Sequence, residues 1–380
     1  MEQEKQTDYR FKILYAVGII MVVAGHCNGG GFSLLSDWFP YGGFHLALFV
    51  FCSGYFYSAK AEKDLLKHTA KNIRSLIIPL YVYNLIYGLL VILLKKGGFA
   101  IGGDFTPANV LIAPITNGHQ FVYNMGGWFV VPLFMVKLLT PVFRRAVGMV
   151  FKNASEWLFF TAALALGILG NQLACGGYNT GWWLAIVRML YFVPFYGLGI
   201  LYRRKLEAYD RKISSFPYFT AVLAIKLILT IHCGHSPVYT ISWCSDFTEG
   251  PVMPIVIGYL GIAFWMRMAN LLEPLIGKSR WINLIADNTF SIMMNQFLGF
   301  MAVKSVYAAL SKYAGFFSDF DQACYRTNIW YYYTPKGLEQ SLILYTAAGI
   351  LIPILIQKTI DLAKRTAPSK IKSRKVNIQS

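Results

Sequence analysis

Charged residues are scarce in this chain, and acidic ones are the scarcest. Asp, Glu, Lys and Arg make up 14% of the 380 residues, and only 18 residues are Asp or Glu. Hydrophobic residues reach 56%, and the mean hydropathy of +0.47 is far above that of a soluble domain. This composition excludes an ordinary soluble globular protein and indicates a chain that lies in a membrane.

Long hydrophilic stretches are also lacking. The longest are residues 95–126, residues 304–337 and a basic tail at 359–380. None of them carries a Gly-rich phosphate loop, a series of metal ligands or a Ser-His-Asp set, so we expect no metal and no separate soluble enzyme domain. A convincing internal repeat is absent, which argues against the transporters built from inverted repeats. We therefore expect one membrane domain over residues 1–358, followed by the tail.

Apolar runs fill the rest of the sequence, and each is close to the roughly 20 residues that cross a hydrocarbon core. We predict an all-α, polytopic membrane protein of about ten transmembrane helices. The 16% of aromatic residues suits belts of Tyr and Trp at two interfaces. No cleavage site follows the first run, so we expect it to be retained. The predicted spans are 11–27, 43–59, 75–94, 127–147, 157–173, 183–202, 216–232, 251–270, 282–303 and 338–358.

The formal net charge of +17 is unevenly distributed along the chain. If ten spans alternate in direction, most Lys and Arg fall in the segments that share a side of the membrane with both termini. Cytoplasmic segments are usually rich in Lys and Arg, so this bias predicts that both termini are cytoplasmic. It also argues against nucleic-acid binding, because the positive charge follows the topology. We interpret the tail at 359–380 as a cytoplasmic anchor for anionic lipids.

A histidine at the end of the first apolar run is the strongest candidate for a functional residue. His26 follows the run that begins at Ile13. An ionisable group at membrane depth is costly unless it faces a cavity or a partner, so its default interpretation is functional. The alternative is a core histidine that is hydrogen-bonded to a neighbouring helix.

Six segments of the chain resemble, in order, those of the acyltransferase-3 family of integral membrane acyltransferases. Each of six features of the family has a counterpart here. They are the first helix, a Ser-Gly-aromatic segment in the second helix, a basic pair before Ile-Pro-aromatic, a Trp-Phe segment, a Phe-rich helix followed by basic residues, and a late polar helix. The matching segments are KILYAVGIIMVVAGH (12–26), LALFVFCSGYFYS (46–58), KNIRSLIIPLYVYNLI (71–86), GGWFVVPLF (126–134), RMLYFVPFYGLGILYRR (188–204) and IADNTFSIMMNQ (285–296).

This resemblance implies transfer of an acyl group, usually acetyl from acetyl-CoA, across the membrane. The acceptors in the family are hydroxyls of cell-surface polysaccharide, lipid-linked sugars, peptidoglycan or lipopolysaccharide. The chain is similar to the members that have no fused extracytoplasmic domain, lie in the cell membrane and modify polysaccharides. We therefore expect acyl-CoA, an extracytoplasmic glycan or lipid-linked sugar and membrane lipids as its partners, while the oligomeric state stays open.

Two positions depart from the family pattern. The family's first helix usually carries Arg or Lys eleven residues before the His, whereas this chain has Tyr15 there. Lys12 lies one turn away on the same helix face and has a side chain long enough to substitute by snorkelling. The late-helix His of the family is replaced by Asn295 or Gln296, depending on the register. We take Asn295 and Gln296 as candidate substrate-binding residues.

The resemblance also suggests roles for the basic residues. His26 would act as a general base towards the acceptor hydroxyl or would carry the acyl group covalently. Lys71 and Arg74 lie three residues apart at the predicted cytoplasmic end of a helix, where two cations can clamp a nucleotide phosphate. The alternative for both is ordinary topology-setting charge.

Several residues near the predicted outer face are further candidates. Arg188 stands inside the sixth span, where it needs a carboxylate or carbonyl partner or an anionic ligand, and Glu249 or Asp246 is a possible ion-pair partner. Trp128 is a candidate for stacking on a sugar ring, with an interfacial anchor as the alternative. We expect His45 to line the same cavity as His26, and His119 to be a solvated loop residue.

Two other functions compete with acyl transfer. A transporter or flippase for a polysaccharide or lipid-linked substrate would use a polar membrane cavity without chemistry. A ligand-sensing membrane domain that has kept the fold and lost the activity is the third. Consumption of acetyl-CoA distinguishes the enzyme from both.

Overall fold

A computed structural model of the protein describes residues 7–31, 43–151 and 153–366. Over these ranges the chain is 78% helical and contains no strands, with one isolated bridge between Thr240 and Ser245. The all-α prediction is therefore confirmed for this part of the chain. Most of the basic tail that we predicted at 359–380 lies outside the described residues.

Ten helices of the described ranges overlap the ten predicted apolar runs, and we label them in chain order. They are α1 (Tyr9–His26), α2 (His45–Tyr55), α3 (Leu65–Lys96), α4 (Met125–Val150), α5 (Glu156–Cys175), α6 (Gly181–Asp210), α7 (Ser215–Cys233), α8 (Met253–Ile276), α9 (Thr289–Ala314) and α10 (Leu342–Thr366). Short helical segments, which we leave unlabelled, connect several of them.

Eight helices in the described part of the chain are long and apolar enough to cross a membrane. The two labelled helices outside that set are α9, which has 26 residues, and α2, which has only 11. At a rise of ~1.5 Å per residue, α2 covers roughly half of a ~30 Å hydrocarbon core. The protein is therefore an integral membrane protein, whereas the count of about ten spans and the cytoplasmic termini stay predictions.

The first helix lies inside the bundle. Asp8 caps α1 by accepting a hydrogen bond from the backbone N–H of Arg10. Apolar residues cover α1 on all sides, as is typical of a helix surrounded by protein. It contacts α2, α8, α9 and α10. This position brings His26, the last residue of α1, into the interior of the protein.

Helices α2 and α6 approach each other closely at two glycines. A Cβ atom added to Gly54 would lie 2.1 Å from the carbonyl oxygen of Tyr196, and one added to Gly199 would lie 2.2 Å from that of Phe51. Only glycine allows these backbones to come so near, which is how membrane helices gain packing contacts. The contact fixes α2 against α6.

Ion pairs hold the helix ends together on the side of the bundle where α1 begins. Arg10 pairs with Glu207 of α6 at 2.9 Å, and Arg267 of α8 pairs with Asp210 at 2.7 Å. Arg144 of α4 pairs with Glu156 of α5 at 2.7 Å. Because the arginines are buried, loss of either partner would leave an uncompensated charge. The pairs therefore fix the relative positions of these helix ends.

Candidate functional site

A cavity of about 800 Å³ lies between α1, α2, α4 and the beginning of α9. At one end it is lined by His26, Asn28 and Trp128, and at the other by Tyr15 and Lys137. Tyr15 precedes His26 by eleven residues on α1, which at ~1.5 Å per residue is roughly 16 Å along the helix. The cavity therefore extends through about half of a hydrocarbon core, and its volume is typical of small-molecule sites.

His26 is held by a glutamine from the late helix. Its Nδ1 lies 3.2 Å from Oε1 of Gln296, and the Gln296 amide nitrogen donates to the carbonyl oxygen of Met293 at 3.3 Å. Because that second bond directs Oε1 towards the imidazole, Nδ1 is the protonated nitrogen and donates. Nε2 then carries the lone pair. The neutral ring is thus oriented as a base towards the cavity that it lines.

Aromatic residues surround the His26 ring on its other sides. Phe297 lies 5.4 Å away between ring centroids, and Trp330 is stacked at 6.1 Å. The Tyr332 hydroxyl donates to the His26 carbonyl oxygen at 2.5 Å. These contacts come from α9 and from the loop before α10. Together they hold both the ring and the end of α1 in place.

The glycine run after His26 is a packed turn over the residues that the structure describes. Asn28 and Gly30 both have positive φ, at 51° and 63°. A Cβ atom at Gly30 would lie 2.3 Å from Oγ1 of Thr346 on α10. Glycine is therefore needed there for conformation and for space. The turn exposes Asn28 to the cavity, and His45, as expected, lines the same cavity.

Arg188 is almost completely buried, with 1% of its surface exposed. Its Nε donates to the carbonyl oxygen of Ser242 at 2.8 Å, Nη2 donates to the same oxygen, and Nη1 donates to that of Asn117 at 3.0 Å. The predicted ion pair with Glu249 or Asp246 is wrong, because backbone carbonyls of two loops already satisfy the guanidinium.

Those carboxylates have other neighbours. Glu249 pairs with His235 at 3.1 Å, and Asp246 accepts a hydrogen bond from the Ser245 hydroxyl at 3.2 Å. Arg188 instead lies 4.8 Å from the ring centroid of Trp128. Trp128 is itself buried and lines the cavity, so Arg188 supports the wall of the cavity from behind.

His119 is not the solvated loop residue that we expected. Its ring stacks on Trp243 at 4.6 Å, and Nδ1 lies 3.1 Å from the Asn117 carbonyl oxygen. Burial, and secondarily the positive charge of Arg188, lowers the pKa of His119 to about 4. The loop thus presents a neutral imidazole near the His26 end of the cavity. No pattern in the sequence predicts this packing of the loop.

Lys71 and Arg74 lie on the first turns of α3, and both are exposed. Arg74 sits in a π-helical turn, Ile73–Ile77, just before Pro79. Such turns are frequent at functional sites. Neither cation lines the cavity of His26. The structure therefore places the pair outside the cavity, at the end of the bundle where α1 begins.

A lysine to which the sequence analysis gave no role does line the cavity. Lys137 of α4 lies at the end remote from His26, and its Nζ is 3.4 Å from the Ser53 hydroxyl. Lys71 is near enough to interact with it electrostatically. A lysine inside an apolar run is a functional candidate by itself, and this signal was available in the sequence.

The two late-helix candidates have different surroundings. Asn295 accepts a hydrogen bond from the Tyr87 hydroxyl at 2.7 Å and donates to the Ser291 carbonyl oxygen at 2.9 Å. It therefore joins α9 to α3 and does not line the cavity of His26. Gln296 is the residue that reaches His26. Its contact is with the imidazole, so it positions that ring rather than meeting a substrate.

The departure in the first helix can also be described. Tyr15, at the position where the family usually has Arg or Lys, lines the cavity. Lys12 pairs with Asp287, which precedes α9. The snorkelling cation that we expected thus has a carboxylate partner near the beginning of α1.

Comparison with known proteins bears on the whole chain. A family profile described as "Acyltransferase domain", of the acyltransferase-3 type, matches residues 8–356. No curated protein and no solved structure shows significant similarity to the chain. The profile covers all ten labelled helices except the last residues of α10, and it includes His26, Gln296 and every residue that lines the cavity of His26. This chain belongs to the acyltransferase-3 family.

Proposed function

We propose that the protein transfers an acyl group, in the simplest case acetyl, from cytosolic acyl-CoA to a hydroxyl on the other side of the membrane. The acceptor is a cell-surface glycan or a lipid-linked sugar. Family membership supports membrane acyl transfer in general. The donor, the acceptor and the location in the cell membrane are our proposals, and so is the orientation with both termini in the cytoplasm.

The observation that carries the proposal is the environment of His26. Its Nδ1 is engaged by Gln296 at 3.2 Å, and the ring lines a cavity of about 800 Å³. A positioned neutral imidazole is the usual general base for removing a hydroxyl proton near neutral pH. Transport alone gives no reason to fix the tautomer of a histidine. The arrangement therefore favours chemistry over passage.

The transfer step follows from this geometry. Nε2 of His26 takes the proton of the acceptor hydroxyl while the hydroxyl oxygen attacks the thioester carbonyl. A carbon–oxygen bond forms, the carbon–sulfur bond breaks, and the departing thiolate takes the proton back from the imidazolium as free thiol. The Asn28 amide, which lines the cavity, can donate to the developing oxyanion. Covalent acylation of Nε2 followed by transfer is the alternative sequence of the same bonds.

The length of the cavity suits a donor that stays on the cytoplasmic side. Tyr15 and His26, which line its two ends, are eleven residues apart on α1, which corresponds to roughly 16 Å at ~1.5 Å per residue. A long, thin arm ending in a thioester can cover this distance inside the cavity. In this scheme Lys71 and Arg74, which are exposed, attract the donor's phosphates to the entrance. The acyl group crosses the membrane and the carrier does not.

The opposite end of the cavity suits a sugar. Trp128 offers an aromatic surface, and Thr240 and Ser242 lie in the wall beside it. Sugar rings commonly bind with their apolar face on an aromatic ring and their hydroxyls on polar neighbours. Arg188 keeps Trp128 and the Ser242 loop together rather than touching the acceptor itself.

Glycan mass spectrometry of a strain that lacks the gene tests the proposal. Loss of one acyl increment, such as 42 Da for acetyl (roughly the mass of C₂H₂O), supports it when the plasmid-borne gene restores the increment. An unchanged acylation pattern together with loss of exported glycan would support the flippase instead.

A further inference from the structure

A second cavity lies next to the first. It has a volume of about 970 Å³ and is located where α1 begins. Its cationic lining consists of Lys12, Lys60, Arg203 and Arg204. Tyr15 lines both this cavity, which we call the inner cavity, and the cavity of His26. A molecule that fills both must pass Tyr15.

Two of these four cations have no carboxylate partner among the described residues. Lys12 pairs with Asp287, and Arg204 pairs with Glu156. Arg203, in contrast, donates only to a carbonyl oxygen, that of Tyr55, at 3.1 Å. Lys60 is exposed, and no ion pair to it is found in the described ranges. The inner cavity therefore retains positive charge that an anion can neutralise.

The carboxylates at the cavity do not cancel this charge. Asp8 and Asp287 belong to its lining. Asp8 is engaged by Arg10, which does not line the cavity, and Asp287 is engaged by Lys12. Both acids are thus occupied by neighbouring cations. An incoming phosphate would meet Lys60 and Arg203 without displacing either acid.

An aromatic ring lies beside these cations. Phe56 lines the inner cavity and is 48% exposed. Phe11 and Tyr55 pack against its ring, with centroids at 4.8 Å and 5.2 Å. A ring fixed from behind and open in front is a platform on which a nucleobase can stack. Phosphate-binding cations next to such a ring form the combination that recognises a nucleotide.

We propose that the inner cavity binds the nucleotide end of the acyl-CoA donor, with its phosphates on Lys60 and Arg203 and its base on Phe56. The arm passes Tyr15 and reaches His26, roughly 16 Å further along α1 at ~1.5 Å per residue. This inference rests on the proposed function. It moves the bound nucleotide away from Lys71 and Arg74, which act only in attracting the donor. A phosphate could also come from an anionic lipid headgroup, and the experiment separates the two sources.

The experiment measures binding of CoA to the purified full-length protein in nanodiscs of neutral lipid. Lys60→Gln should raise the Kd for CoA about tenfold, the size of one charge-assisted hydrogen bond. Lys63→Gln is the matched control, because Lys63 is an exposed lysine three residues away that does not line the cavity. Turnover of acetyl-pantetheine, which lacks the nucleotide, should be the same in Lys60→Gln as in the wild type.

Further variants keep the outcome decisive. Arg203→Gln should weaken CoA binding more than Arg203→Lys does, because lysine retains the charge. If Arg203→Gln fails to fold, Arg203→Lys should still bind CoA more weakly than the wild type, because it loses the planar guanidinium. Equal CoA affinity in Lys60→Gln and the wild type, with a tenfold loss in Arg74→Gln, would overturn the inference. The inference is also overturned if Lys60→Gln reduces binding of phosphatidylglycerol while its affinity for CoA is unchanged, because the site would then bind a lipid headgroup. If the wild type neither binds CoA nor consumes acetyl-CoA, the proposed function itself fails.

Discussion

The Nδ1 atom of His26 lies 3.2 Å from Oε1 of Gln296, across 270 residues of sequence. The contact joins the end of α1 to a residue near the beginning of α9, and the Gln296 amide is fixed in turn by the Met293 carbonyl oxygen. The family usually has a His near this position of the late helix. Here a glutamine occupies it and orients the His26 imidazole without carrying a charge. It holds the imidazole in the tautomer that presents Nε2 to the cavity.

Replacement of Gln296 tests this positioning role. Gln296→Leu removes the acceptor for Nδ1–H and frees the ring to change tautomer, so we expect kcat to fall about tenfold or more with KM little changed. Gln296→Asn has a shorter side chain that does not reach Nδ1, so its kcat should be as low as that of Gln296→Leu. Gln296→Glu keeps the hydrogen-bond acceptor and should retain more activity than Gln296→Leu. The measurement is steady-state transfer to the acceptor. A change confined to KM would assign Gln296 to substrate binding instead.

Arg188 should matter for stability more than for catalysis. Arg188→Ala leaves the carbonyls of Ser242 and Asn117 without their donor in a buried place, which costs about 3 kcal/mol of unfolding free energy. Arg188→Lys keeps the charge but loses the forked guanidinium, so its unfolding free energy should lie between those of the wild type and Arg188→Ala. Thermal unfolding in detergent checks the order of the three proteins. Wild-type stability in Arg188→Ala, with loss of acceptor affinity, would show that Arg188 contacts the substrate.

Acid should destabilise the protein through His119. Its pKa is about 4 in the folded state, against the ordinary ~6.5 in the unfolded chain. The unfolded state therefore binds more protons between these values, so the contribution of the neutral ring is fully present above ~6.5 and is lost as the pH falls towards 4. In His119→Gln the unfolding temperature should depend less on pH over this range. An identical pH dependence in variant and wild type would contradict a neutral His119 in the folded state.

The fold was largely predictable because the length of an apolar run directly reflects the thickness of the membrane. The residues at which the helices begin and end were less predictable. Helix α3 begins at Leu65 rather than at residue 75, since the polar residues before the span continue the same helix, and α2 ends at Tyr55 rather than at residue 59. Polar segments at a membrane surface carry no signal of hydrophobicity by which to place such ends.

The site was predictable only in part. His26 stands out because it is ionisable and ends an apolar run, and Lys137 carries the same signal within its span. The partners of His26 could not be found in this way, because Gln296 and Trp330 lie far away in sequence and only the packing of helices brings them near. Arg188 illustrates the other limit. Its partners are backbone carbonyls, which every residue has, so the sequence pointed to the acids Glu249 and Asp246 instead.

Transfer by the reconstituted protein is the most direct test of the account. Proteoliposomes that contain the wild type receive radiolabelled acetyl-CoA on the side that the basic C-terminal tail faces and a glycan acceptor on the other. We predict label on the glycan, and a rate about 10²- to 10⁴-fold lower in His26→Ala, with the variant inserted and folded as the wild type is. Near-wild-type transfer in His26→Ala would contradict the central role of this histidine in the chemistry.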